Sequence, residues 1–329
     1  MVKQNKQSSF HKQNSFKIVE TDTENKFRTT VEYIILPNDT IGALVRSVTF
    51  ENLGDKAEFE ILDGMPKIVP CGVSLNHMLN MANLNRSYNT ILNLENKIPI
   101  FLKEIIGDDH AEVHKRTDGY YFFSFDNSGL IAPIYDPNAI FDEESSLVYP
   151  MNFATKGIDF VNQYKQHGTN KICGCFAPIK VTLEKGQTYR LVSMSGHTHS
   201  PEIINEKAKE ICSFDYIDEK FKQADELAVK FTNDIATKSS NPVLDMYFRQ
   251  CYLDNFLRGG YPFIFKGKDK NKVVHLFSRK HGDPERDYNH FSIAAEYYSQ
   301  GDGNFRDVLQ NRRNDVLFHP EVFDFNIQM

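Results

Sequence analysis

The residues best suited to chemistry lie close to the end of the sequence, in Gly303-Asn304-Phe305-Arg306-Asp307-Val308-Leu309-Gln310-Asn311-Arg312-Arg313. A planar guanidinium beside a carboxylate, as in Arg306-Asp307, can hold two vicinal hydroxyls bidentately. The competing use of such a pair is an ion pair that ties a loop to a helix. Arg312 and Arg313 can face an anion or form a solvated basic face. A dense charged stretch, Arg279 through Asp287, reads as a solvated loop whose Asp287 caps the next helix, with the mouth of a site as the sharper alternative. His197-x-His199 puts two imidazoles on one side of a strand end. Zinc needs a third ligand, and none stands at a recognisable spacing, so no metal is expected. Cys173-x-Cys175 is spaced too closely for a zinc knuckle and reads as two buried free thiols. Gly259-Gly260 reads as a helix stop, not a phosphate loop.

Composition narrows the class. The chain has 329 residues, 40% hydrophobic and 25% charged, so two soluble globular domains are expected. A formal net charge of -6 leaves no electrostatic footprint for nucleic acid. The polar start has no apolar core of a secretory signal, and no run is long enough to span a membrane. Five scattered cysteines fit a reducing, cytoplasmic compartment better than a disulfide scaffold. There is no Trp but there are 26 Phe and 15 Tyr, so any ring stacking on a ligand falls to Tyr or Phe.

The elements that would position these residues follow from periodicity. Residues 1–28 read as a disordered lead-in. Residues 29–200 read as β: strands at 31–36, 43–50 and 57–62 joined by short turns as an antiparallel meander, with Leu44, Arg46, Val48 and Phe50 sharing one face. Residues 74–84 show some helical spacing, and strand signals resume at 119–125. Residues 133–170 hold many turn formers and read as a long surface excursion. Strands at 177–183 and 188–194 flank Glu184-Lys185-Gly186-Gln187, which reads as a hairpin turn. From residue 201 the period changes to helical. Apolar residues fall at 204, 208 and 211, then at 217, 221, 224, 228, 231 and 235, one continuous stripe. Asn241-Pro242 reads as a cap and first turn of another helix with Leu244, Phe248 and Cys251 on its apolar face. A further helix is expected over 287–300.

Four stretches, taken in order, resemble cellobiose-phosphorylase-type glycoside phosphorylases. Val48-Thr49-Phe50-Glu51-Asn52-Leu53-Gly54-Asp55-Lys56 is similar to that family's L-x-N-L-S-x-R turn. Leu183-Glu184-Lys185-Gly186-Gln187, with the strand ending at Gly196, is similar to its L-x-P-G-E turn and following strand. Asn241-Pro242-Val243-Leu244-Asp245 matches its N/D-P-x-L-D helix start, and Gly303 through Gln310 resembles its G-x-R-D-x-x-Q signature. The resemblance spans roughly residues 30–320 and leans towards the large branch acting on β-1,3-glucans. It departs at Asn311, where the family has Asp, and in lacking the Trp-rich sugar site.

The resemblance implies a β + α multidomain fold. An antiparallel β-sandwich (29–200) would be followed by a helical linker (201–240) and the first helices of a truncated (α/α)6 barrel (241–329). It implies inverting phosphorolysis of a β-linked gluco-oligosaccharide, with phosphate as co-substrate and no other cofactor. Arg306, Asp307, Gln310, Arg312 and Arg313 would then bind substrate. The catalytic acid would lie beyond Met329, leaving this chain alone inactive. A homodimer stays open, as do two other readings: a non-catalytic carbohydrate-binding module and a fragment of a related hydrolase.

Overall fold

The computed structural model describes residues 6–12, 14–73, 75–106, 114–268, 270–276, 310 and 312–328. The chain forms two compact units, Met1–Asp225 and Glu226–Met329.

The first unit is built on one large antiparallel sheet. Its strands are β1 (Lys6–His11), β2 (Ser15–Asp22), β3 (Phe27–Ile35), β4 (Ala43–Asn52), β6 (Asn89–Leu92), β7 (Ile100–Lys103), β10 (Gly119–Asp126), β11 (Gly129–Leu130) and β13 (Thr188–Thr198). They run in the order β1-β2-β3-β4-β13-β10-β7-β6, with β11 beside β10. A second, two-stranded sheet pairs β5 (Ala57–Met65) with β12 (Cys175–Leu183), and β8 (Ile105–Ile106) pairs with β9 (His114–Lys115).

Both faces of the large sheet are covered, and strand parity explains how. In β4, Val48 and Phe50 point to the small sheet and pack with Ala177, Ile179 and Leu191. Ala43 and Val45 point the other way and pack with Val192, Met194, Tyr121, Phe123 and Phe125. The residues grouped on one face, Leu44 through Phe50, do share parity. Only Val48 and Phe50 are in the core, because Leu44 lies near the strand's start and is exposed, while Arg46 Nη1 pairs with Asp63 of β5 at 2.5 Å.

The turns connect differently from the expected meander and hairpin. Strands β4 and β5 lie in different sheets, and so do β12 and β13. Residues 184–187 do form a tight turn, with the Gln187 N–H donating to Glu184 O at 3.0 Å, but the chain uses it to cross between layers. At the far end of the small sheet Gly64 faces Phe176. A Cβ there would stand 2.1 Å from Cys175 O, so only glycine allows this approach.

Two stretches read as loosely structured are ordered. Residues 6–22, expected to be a disordered lead-in, form β1 and β2, whose backbone groups extend the ladder from β3. No residue of either strand is fully buried, so neither shows the alternation of a strand with one face in the core. Residues 133–170 hold helices α3 (Pro137–Phe141) and α4 (Met151–Gln163) over a small core of Ile134, Ala139, Ile140, Phe141, Val161 and Phe176. The turn formers there serve as anchors. Buried Asp136 accepts the Asn138 N–H that caps α3, the His167 N–H and the Lys171 ammonium. Before them, the spacing at 74–84 becomes α1 (Leu75–Asn80) and α2 (Ala82–Ser87).

Helices α5 (Pro201–Ile211) and α6 (Phe214–Thr232) follow the periodic stripe. The stretch expected as a linker is, in its first part, core: Ile204, Ala208, Ile211, Ile217 and Ala224 are buried with the sheet residues around Val45. Each isoleucine so buried contributes about 1.5–3 kcal/mol.

In the second unit, α7 (Pro242–Gly259) starts where expected. The Asn241 side chain accepts the N–H groups of Val243 and Leu244, and Gly260, in the left-handed region, follows its end. Among its described side chains Tyr252 and Leu253 are buried, whereas Leu244 and Phe248, expected to be inward, are exposed. A hairpin of β14 (Tyr261–Phe265) and β15 (Lys272–Leu276) follows, in a stretch with no strand expectation. Among the described residues α7 is the single long helix of this unit, so barrel closure is not seen there. The helix expected over 287–300 lies outside the described residues. No helix among those described is long and apolar enough to cross a membrane.

Candidate functional site

Arg306 and Asp307 lie outside the described residues, as does the charged stretch 279–287. Gln310 and Arg313 are exposed. Arg312 is buried, 6% exposed, in a polar network of the second unit. There His275 Nε2 stands 3.0 Å from Asp315 Oδ2, and Asn326 Nδ2 donates to the same oxygen at 3.0 Å. Asn326 also donates to Arg312 O. Burial disfavours the Arg312 charge and pulls its pKa down, with Asp315 offsetting part of that. Of the five residues singled out in the sequence, the described part therefore places two at the surface and one inside.

A denser constellation lies in the first unit, on three backbone segments. Antiparallel pairing of β10 with β13 sets Tyr120 opposite His197, with Asp118 just before β10. Cys71 is joined to β7 by backbone hydrogen bonds from Cys71 N to Phe101 O and from Lys103 N to Cys71 O, and β7 in turn pairs with β10. Arg116 is fixed by its N–H on Glu104 O. Gly72, with φ of +88°, turns the chain beneath Arg116, whose Nε lies 3.1 Å from where a Cβ would sit.

The side chains converge on Asp118 Oδ2. It lies 3.2 Å from His197 Nε2 and accepts from Arg116 Nη1 at 2.9 Å and from the Cys71 thiol at 3.7 Å. Arg116 Nη1 is also 3.3 Å from Cys71 Sγ, and its Nε is buried without a partner. Burial alone would raise the Asp118 carboxyl. The His197 hydrogen bond and the Arg116 charge outweigh it and hold the group below its ordinary range. Burial and the Asp118 charge push the Cys71 thiol up. A buried, protonated thiol hydrogen-bonded to a carboxylate is not an activated nucleophile. The same burial effect takes Cys173 up to about 12 and raises Cys175, which agrees with inert structural thiols.

Cys71, Asp118 and His197 are the described residues whose ligand atoms could hold a metal together, all within 4.8 Å of one another. The pair read from sequence, His197 and His199, does not form this group, although the two rings lie edge to face at 5.1 Å. The partners of His197 are 79 residues away at Asp118 and farther still at Cys71, beyond any local spacing rule.

Two surface hollows lie in this unit. One, of about 490 Å³, is lined by Thr40, Ile41, Ile203, Lys207 and neighbouring charges; the other, of about 260 Å³, by Lys67, Arg86, Asn138, Asp142 and Lys171 among others. Neither contains the Tyr or Phe expected to stack on a sugar ring.

No protein-family model and no curated protein sequence matches the chain. Among solved structures, a polysaccharide lyase aligns with 59% of this chain and 23% of its own, at 14% identity and a TM-score of 0.33. A protein described as a kojibiose phosphorylase from the human microbiome aligns with 76% of this chain and 24% of its own, at 8% identity and a TM-score of 0.27. The chain thus spans about a quarter of the length of either structure it is similar to.

Proposed function

We propose that this chain is the sandwich-bearing part of an inverting glycoside phosphorylase that acts on a β-glucan or cello-oligosaccharide. The supporting observation is the meeting of two of the motifs that carry the resemblance. Asn52 of the first turn is 1% exposed and donates to Leu183 O, the first residue of the second turn's motif, across 131 residues of sequence. The third motif behaves likewise, since Asn241 caps α7. Motifs that are weak as strings thus hold defined structural roles in the order the family uses them.

In this reaction a carboxylic acid protonates the glycosidic oxygen as the C1–O bond breaks. A phosphate oxygen attacks C1 from the opposite face, which gives α-glucose 1-phosphate and a shortened glucan. Phosphate is already anionic, so it needs positioning by cationic and hydroxyl groups more than deprotonation. Arg306 and Asp307 would grip vicinal hydroxyls of the donor sugar, with Gln310, Arg312 and Arg313 completing the wall. In this reading the buried Arg312 would support the wall and the exposed Arg313 would meet phosphate.

The test is release of glucose 1-phosphate from laminari- and cello-oligosaccharides by the full gene product, with and without phosphate. Phosphate-dependent release is the expected result. Release of sugar without phosphate would replace phosphorolysis with hydrolysis, and no release would favour a binding module. In the active protein, Arg306→Ala is expected to lower kcat/KM about 10- to 100-fold, the loss of a charged hydrogen bond worth about 1.5–3 kcal/mol.

A further inference from the structure

Cys71, Asp118 and His197 bring a sulfur, a carboxylate oxygen and an imidazole nitrogen together from three separate segments of the first unit. We propose that these side chains form a binding site for a zinc-like divalent ion, with a fourth position open to water or a small ligand.

Distance carries the argument first. In a tetrahedral site with Zn–S near 2.3 Å and Zn–N and Zn–O near 2.1 Å, the ligand–ligand edges are about 3.6 Å for S–O and about 3.4 Å for N–O. The observed separations are 3.7 Å for Cys71 Sγ to Asp118 Oδ2 and 3.2 Å for His197 Nε2 to Asp118 Oδ2. Two of the three edges of the ligand triangle are therefore in place. The third, between sulfur and nitrogen, lies within 4.8 Å, close enough for a side-chain rotation to close it. A thiolate, an imidazole and a carboxylate together suit zinc or cobalt, whereas magnesium and calcium take oxygen ligands.

The second argument is the cation already present. Arg116 Nη1 contacts both Cys71 Sγ and Asp118 Oδ2, while its buried Nε has no partner. The guanidinium thus supplies the positive charge that these ligands would otherwise give to a metal, and its own hydrogen bonding is incomplete. Metal binding exchanges one cation for the other. The Cys71 S–H bond breaks and its proton passes to solvent, the sulfur, Oδ2 and Nε2 bond to the ion, and Arg116 leaves the two acceptors. The net charge of the site is unchanged by this exchange, so no uncompensated charge is placed there. His197 lies in paired β13, Asp118 immediately precedes paired β10 and Cys71 is hydrogen-bonded to β7 on both sides, so the ion would meet a largely preformed arrangement.

The full chain, stripped with chelator, should be titrated with zinc against a chromophoric competitor and with cobalt by absorption. A single equivalent is expected, with a sulfur-to-cobalt charge-transfer band. Cys71→Ser should remove that band, and Cys71→Ser or His197→Ala should weaken zinc about a hundredfold or more, since even loss of an outer-shell partner costs about 10- to 100-fold. Arg116→Met, which removes the competing cation, should tighten zinc several-fold. No binding, or binding that both ligand variants leave within twofold, would overturn the site. Should the ligand variants not fold, the wild-type cobalt spectrum decides: a spectrum with no thiolate band refutes it.

Discussion

Replacing Asp39 with alanine is expected to destabilise the first unit by about 3–5 kcal/mol, read from urea unfolding. Asp39 sits in the β3–β4 turn with its side chain only 2% exposed, and the helices close over it. Lys207 of α5 pairs with one carboxylate oxygen at 2.9 Å and Lys220 of α6 with the other at 3.3 Å, while the Tyr216 hydroxyl and the Thr40 N–H donate to it. Lys220 is itself buried and also donates to Pro37 O and Asn38 O. Removing the carboxylate would leave that ammonium buried with carbonyls alone. The double variant Asp39→Ala with Lys220→Met should recover part of the loss, because it removes the stranded charge. A single-variant effect under about 1 kcal/mol would mean that the network acts like an ordinary surface pair.

The same site sets an acid dependence. Burial raises the Asp39 carboxyl, but the hydrogen bonds from Tyr216 and Lys207 outweigh it and bring the pKa to about 2, against an ordinary 3.8. A carboxyl depressed in the folded state stabilises above its unfolded pKa, and that stabilisation fades as pH falls through the folded value. About 2 kcal/mol should therefore be lost between roughly pH 4 and pH 2. Asp39→Asn, which does not titrate, should lose this component of the acid slope in a pH series of unfolding midpoints.

The parts of the fold legible in the sequence were those in which one face is buried and the period is regular. The stripe from Ile217 onward is such a case, and so is α5, whose Ile204, Ala208 and Ile211 are all buried. The Asn241 cap was legible because capping is a local event between a side chain and the next two amides. Strands β1 and β2 were not, since their order comes from backbone hydrogen bonds, β2 to β3 and β1 to β2, and not from their own apolar content. Nor was the split between layers: four residues between two strands suit a hairpin, and only the pairing of β12 with β5, more than a hundred residues earlier, shows that the chain changes sheet there. The polar cluster was half visible. His197 drew notice through His199, but its carboxylate and sulfur partners come from distant segments beside β10 and β7. A ligand set assembled by sheet topology leaves no spacing signature.

Asn52→Ala is the other large effect, expected at about 2–4 kcal/mol. Its side chain joins the two places where the chain crosses between sheets. The amide nitrogen donates to Asp55 O at 2.7 Å, within its own turn, and to Leu183 O at 2.8 Å, at the other turn. The amide oxygen accepts the Gly54 N–H at 2.9 Å. Its backbone takes part as well, through Asn52 N to Gln187 O and Gly186 N to Asn52 O, so both turns are held by one residue. Alanine keeps the backbone bonds and leaves two buried polar groups, Leu183 O and the Gly54 N–H, and the part-buried Asp55 O without their side-chain partner, each buried one worth about 1–3 kcal/mol if water cannot replace it. Asn52→Asp separates geometry from volume. It retains the acceptor for Gly54 but sets a carboxylate oxygen where the amide donated to two carbonyls, so it should destabilise at least as much as alanine despite equal size. Near-wild-type unfolding of Asn52→Asp would show that the two donated bonds contribute little. The layers would then be held together by the apolar contacts of Val48, Phe50, Ile179 and Leu191, and the Asn52 link between the two turns would no longer support the phosphorylase reading.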